Sequence, residues 1–174
     1  MWRFEIEREW SGQVLGERIA VEVHAGGLSV AAPFFGEDTR PDGEGFCARL
    51  WEHEVVEVFL GREDGAYVEL EFGPFGHWLV LAFSGYRQGG PVHGLVNGCR
   101  VTREAGAWRG ELALEPRWWR EVLDRSTVGN AYAIHTTQGR RRYCAAHPAA
   151  DGSRPDFHRR ELWQTLGPIA ETNS

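Results

Sequence analysis

The chain has 174 residues, 42% of them apolar, which is enough for one domain with a real core and too apolar for a disordered chain. Its formal net charge is −6 and it contains no lysine. That argues against a nucleic-acid partner, which a basic face would recognise, and it removes Schiff-base chemistry and any lysine-dependent phosphate loop. Cys47, Cys99 and Cys144 are odd in number and widely spaced, with no C-x-x-C, so they signal neither a zinc site nor a disulfide framework. They read as reduced thiols of an intracellular protein. The opening MWRFEIEREW has no apolar signal-peptide core, and no apolar run approaches the ~20 residues that span a bilayer. The expectation is a soluble cytoplasmic protein with no membrane partner.

In chain order, residues 2–8 alternate as a strand, Ser11-Gly12 marks a turn, and residues 17–24 place Ile19, Val21 and Val23 on one side of a second strand. Ala25-Gly26-Gly27 turns into a third strand over 28–32. Residues 33–49 hold Gly36, Pro41, Gly43 and Gly45 among scattered charges, a long loop of the kind that is commonly functional or mobile. Phe34 and Phe35 are expected to anchor its start in the core.

The stretch 50–83 reads as three antiparallel strands over 54–60, 67–72 and 77–83. A three-residue loop of Glu63, Asp64 and Gly65 places Val58 opposite Leu70 and Glu57 opposite Glu71. A four-residue loop of Gly73 to Gly76 places Leu70 opposite Leu79 and Glu71 opposite Trp78. The result is one packed face and one face carrying Glu57, Phe59, Glu69, Glu71 and Trp78. Like charges directly across a ladder are unfavourable, so Glu57 facing Glu71 calls for an arginine from a neighbouring strand, solvation, a bound cation or a ligand hydroxyl.

Residues 84–98 are a second glycine-rich loop, and 99–103 with 107–114 form a hairpin. RWWREVL after Pro116 predicts one short helix with the proline in its first turn. Residues 130–137 form a strand with Tyr132 and Ile134 on one side and Ala133 and His135 on the other; Gln138-Gly139 turns it into 141–147. In the tail, Phe157, Leu162 and Trp163 are expected to seal one end of the core. Nine or ten short strands at regular spacing predict an all-β antiparallel β-sandwich with one short helix. It forms a single domain over residues 1–166, followed by a frayed tail over 167–174.

His53-Glu54-Val55-Val56-Glu57 looks like H-E-x-x-H, but that zinc motif needs a helix and a second histidine, and this run is β-branched and ends in glutamate. Paired carboxylates among Glu57, Glu69 and Glu71 offer acid–base chemistry on a glycoside, although no feature marks one of them as having a raised pKa. Binding a sugar asks for less: an aromatic ring to stack on a pyranose and carboxylates to accept its hydroxyl hydrogens. Eight tryptophans supply candidates. Trp10, Trp118, Trp119 and Trp163 are assigned to the core, and Trp51, Trp78 and Trp108 could line a cleft. His135, facing with Ala133, reads as a core histidine, and His158 has the better claim to a polar role. Arg142 and Tyr143 follow the His135 strand and are placed at the same cleft, while the run Arg140-Arg141-Arg142 otherwise reads as a solvated strand end.

The segments LWEHEVVEVFL, YVELEFGPFGHWLVL, YAIHTTQGRRRYCAAHP and RPDFH, with APFF upstream, resemble an uncharacterised family of DOMON-like proteins that is similar to family-9 carbohydrate-binding modules. The resemblance implies a β-sandwich and, from the wider superfamily, binding of sugars or haem. Met1 is the single methionine, which leaves Met/His haem ligation without its methionine. Family-9 modules hold sugars between tryptophans with polar partners, which the resemblance maps onto Trp51, Glu57 and Trp78. The expected function is non-catalytic binding of a carbohydrate, polyol or other small polar molecule by Trp51, Glu57, Glu71, Trp78, His135, Arg142, Tyr143 and His158. No cofactor is expected, with calcium as a candidate occupant among the carboxylates. The alternatives are a small enzyme working on a sugar derivative through carboxylates and histidines, and an interaction domain whose cleft is filled by its own side chains.

Overall fold

The structure, a computed structural model, describes residues 1–169. Twelve strands and one helix follow in order: β1 (Trp2–Glu9), β2 (Val14–His24), β3 (Gly27–Pro33), β4 (Val55–Arg62), β5 (Tyr67–Phe72), β6 (Trp78–Phe83), β7 (Gly89–Pro91), β8 (Val96–Glu104), β9 (Ala107–Leu114), α1 (Pro116–Arg125), β10 (Ser126–Thr137), β11 (Arg140–Ala145) and β12 (Gln164–Thr165). The two strands the pattern did not announce, β7 and β12, have three and two residues, too short to show alternation. All twelve belong to one antiparallel sheet of order β7-β6-β5-β4-β10-β11-β1-β2-β3-β9-β8, with β12 added beside β10. The all-β antiparallel expectation therefore matches the fold, but the strands form one continuous curled sheet.

Curling brings the two ends of the sheet face to face over a shared inner core. Phe72 of β5 meets Trp108 of β9 edge-on, with ring centroids 5.7 Å apart. Gly110 makes room for that contact: a Cβ there would lie 2.4 Å from the Phe72 ring. Phe4, Ile6, Val21, Val58, Leu70 and Val80 belong to the same inner cluster. The helix closes one end. Pro116 opens it, the Glu115 carboxylate accepts from the Arg117 and Trp118 amides, and Trp119 and Leu123 are buried. Among the described residues no helix is long and apolar enough to cross a membrane.

The outer face of β4, β5, β6 and β10 is also covered. There Val55, Phe59, Tyr67, Leu79, Tyr132 and Ile134 pack against Trp10, Phe157 and Trp163 in a second cluster. Asn130 ties the tail down. Its side-chain amide donates to the carbonyls of His147 and Leu162 and to the Tyr132 hydroxyl, and its Oδ1 accepts from the Ala131 and His147 amides. Of the tail expected to fray, 170–174 lies outside the described residues. Upstream of it, the Gly167 carbonyl accepts a 2.6 Å bond from Trp2 Nε1 and Ile169 packs against the inner core.

The β4–β5 hairpin has the expected register, with Val58 opposite Leu70, Glu57 opposite Glu71, and Gly65 at φ 90° in the turn. The β5–β6 register differs by one residue: Glu71 pairs with Leu79, and Phe72 with Trp78. The Gly73 amide donates to the His77 carbonyl, so the turn proper is Pro74-Phe75-Gly76, with Gly76 at φ 80°. A three-residue turn, where four were expected, moves every β6 side chain to the opposite face.

Candidate functional site

That register sets the composition of the outer face. One row across the sheet runs Tyr132, Glu57, Glu71, Leu79, and the next runs Asn130, Phe59, Glu69, Leu81. Leu79, Leu81 and Phe83, expected in the packed core opposite the carboxylates, instead stand beside them. A cleft of about 600 Å³ opens over these rows. Glu57 and Glu69 lie at its floor, Phe59, Phe83, Leu79 and Leu81 at its sides, and Phe157 and His158 of the tail form one wall. Trp51 and Arg49, then Arg87 and Gly89 to Pro91, complete the rim.

The carboxylates are deeply buried: Glu71 is 0% exposed, Glu57 2% and Glu69 4%. One oxygen from each lies within 4.8 Å of the others. Burial raises Glu57 well above the ordinary range; Glu69 adds to the effect and Arg141 opposes it. Burial also raises Glu71, reinforced by the charges of Glu57 and Glu69. Burial raises Glu69 to about 7, opposed by the neighbouring Glu71 carboxyl and by the Arg87 charge. The arginine answer to Glu57 facing Glu71 does not apply, since the nearby arginines are engaged elsewhere. Arg141 bonds Asp38 and the carbonyls of Trp51 and His53, and Arg87 bonds Asp156.

His158 is the tail's contribution. Its Nδ1 lies 2.7 Å from the Tyr67 hydroxyl, which already accepts from the Arg87 amide at 3.0 Å. Its Nε2 lies 3.9 Å from Glu69. Burial, with Arg87 nearby, lowers His158 to about 4, so the ring is neutral at physiological pH. Asp156 accepts from the Tyr86 hydroxyl, the Arg87 guanidinium and the His158 amide, and so fixes the rim.

Of the eight residues predicted from sequence, Trp51, Glu57, Tyr143 and His158 line the cleft and Glu71 lies beneath its floor, in the strand opposite Glu57. The other three do not reach it. Trp78 pairs with Phe72 and packs against the inner core because of the one-residue register difference. His135 lies on the inner side of β10, stacked on Phe35 with ring centroids 3.6 Å apart. Arg142 sits opposite His135 and bonds Glu9. Trp108, the further tryptophan considered for a cleft, is in the inner core. Phe59, Glu69, Arg87 and Asp156 were missing from the predicted set. Strand alternation already placed Phe59 and Glu69 beside Glu57, whereas Arg87 and Asp156 come from loops that carry no periodic signal. The loop after β3 is firmly held: Glu54 accepts from the Phe35 and Gly36 amides, Asp38 from Thr136 and Arg141, and Glu37 from the Gln138 and Gly139 amides.

No family model matches the chain. A Bacteroides uniformis protein described as a "putative carbohydrate-binding protein" has the same fold, with a TM-score of 0.70 over 95% of this chain and 85% of that one at 17% identity. The human UPF0462 protein C4orf33 is 32% identical over 176 residues, covering 94% of this chain and 86% of its own length. Its Danio rerio homologue is 34% identical over 146 residues, covering 79% of this chain and 72% of that protein. Identity at that level over most of both lengths shows that the chain belongs to the UPF0462 family.

Proposed function

We propose that the cleft on the outer face binds a carbohydrate or polyol. The observation that carries this reading is the pairing of buried carboxylates at the floor with aromatic rings at the walls, in a cleft whose volume suits a small ligand. Glu57 and Glu69 would accept hydroxyl hydrogens, and Trp51, Tyr143 or Phe83 would offer a face to the apolar side of a sugar ring. The fold likeness to a protein described as a "putative carbohydrate-binding protein" supports the reading, as does the sequence resemblance to DOMON-like proteins and family-9 modules. Calorimetry against a panel of mono- and oligosaccharides tests it. Heat is expected from the wild type and from Trp78→Ala, whose side chain faces the inner core, and is expected to vanish in Glu57→Gln. No heat from the wild type with any sugar at millimolar concentration overturns the reading.

One observation favours a second reading, acid–base catalysis on a glycoside: Glu69 held at about 7 beside two further buried carboxyls. Turnover of an aryl glycoside, lost in Glu69→Gln, would establish it.

A further inference from the structure

The floor of the cleft gathers three buried carboxyl groups without a bonded counter-charge. Among the described residues no arginine hydrogen-bonds Glu57, Glu69 or Glu71. The carboxyl of Glu71 is 0% exposed and neither of its oxygens has a partner, and Oε1 of Glu57 is likewise buried and unpartnered. A buried acceptor left unpaired carries its full desolvation penalty, and a buried carboxylate more so. Two such carboxyls facing each other across β4 and β5, with the buried Glu69 beside them, are therefore costly to the fold unless something occupies the space between them.

We infer that Glu57, Glu69 and Glu71 bind a divalent cation of the hard, oxygen-preferring class, with calcium the best fit. Calcium–oxygen bonds are about 2.4 Å, so two ligating oxygens on opposite sides of the ion stand about 4.8 Å apart. The three carboxylate oxygens lie within 4.8 Å of one another, inside that limit. The donor set is all carboxylate, which suits calcium, magnesium and manganese and gives zinc and copper no nitrogen or thiolate ligand. Magnesium prefers shorter bonds and near-ideal octahedral geometry, which an irregular set of three strand carboxylates suits less well. Calcium tolerates an irregular set of side-chain oxygens. Glu57 and Glu69 also line the cleft, so the remaining coordination positions point into it and are open to water or to a pair of ligand hydroxyls. The ion would neutralise the floor and present a Lewis-acidic contact to a polyol. It requires no sugar in order to bind, so this inference and the proposed sugar binding fail separately.

The test uses the full chain, dialysed against a chelator and titrated with calcium, magnesium or manganese chloride in the absence of any sugar. The expected result is one calcium per chain with a dissociation constant below millimolar, a rise in Tm with calcium, and weaker binding of magnesium. Glu71→Gln and Glu57→Gln should each weaken calcium binding by about tenfold or more. Trp78→Ala should bind as the wild type does. A wild type that gives neither heat nor a Tm shift with any of the three ions at millimolar concentration overturns the inference. So does calcium binding that both glutamine variants leave unchanged, because the ion would then be elsewhere. The sugar panel repeated with and without calcium reports on the sugar reading independently.

Discussion

At the scale of single residues, the site groups are those that the fold holds at a cost. Glu71 has its carboxyl raised above the ordinary 4.5 by burial, then by Glu57 and Glu69. A raised carboxyl is stabilising in its protonated form, and that stability is lost as pH climbs above 4.5. Glu71→Gln keeps the shape and removes the charge. In chelator at pH ~8 it should unfold at a higher urea concentration than the wild type, a gain of about 1–2 kcal/mol, and the gap should narrow toward pH ~5. Unchanged urea midpoints would show that the carboxyl costs nothing in place. His135 has the opposite sign. Burial, then Arg142, lowers it from 6.5 to about 4, so the unfolded chain takes up the proton first. The wild type should lose stability as pH falls through that window, by at most about 3 kcal/mol from this group. His135→Phe retains an aromatic ring against Phe35 and should lose less between pH ~6.5 and ~4, read as the difference between the two Tm profiles. The alternation of Glu57, Glu69 and Glu71 was legible from the residues alone. Their burial was not, because a carboxylate row on a strand looks the same whether water or a tail segment covers it.

At the scale of elements, one turn decides which side chains meet the carboxylates. Gly73-Pro74-Phe75-Gly76 is compatible with loops of three or four residues, and the two differ by the single Gly73–His77 pairing. With a side-chain period of two, that pairing sends Trp78 to the inner core and Leu79, Leu81 and Phe83 to the cleft. Trp78→Ala is therefore expected to cost about 3 kcal/mol or less, as a partly exposed core residue does, and to leave ligand affinity unchanged. A loss of binding with no loss of stability would place Trp78 in the site after all. The inner core has its own tight contact. An alanine methyl at Gly110 would enter the Phe72 ring at 2.4 Å and lie 2.9 Å from the Trp108 ring, so Gly110→Ala should destabilise by about 1–3 kcal/mol in urea. A neutral result would mean that the two halves of the sheet can separate slightly without penalty.

At the scale of the whole molecule, the cleft joins segments far apart in sequence. The floor comes from β4 and β5, one wall from residues 155–158, and the rim from 48–51 and 87–91. The tail reaches the floor because Asn130 bonds the carbonyls of His147 and Leu162 and because Trp163 packs tilted against Phe59 and edge-on against Tyr67. Asn130→Ala should leave those carbonyls without a donor, lower Tm, and weaken any ligand contact made by His158. Restored stability without restored binding, achieved by added calcium or osmolyte, would separate the two effects. The sequence by itself determined what local periodicity and turn chemistry encode: the strands, most hairpin pairings, the single helix, and a carboxylate face on the central meander. Each depends on neighbours within a few residues of one another. Only the tertiary structure decided that the strands close into one curled sheet, that Trp78, His135 and Arg142 face the inner side, and that the carboxylates are buried beneath the tail. Those outcomes depend on long-range contacts and on a one-residue difference in a turn, neither of which leaves a mark on the local pattern.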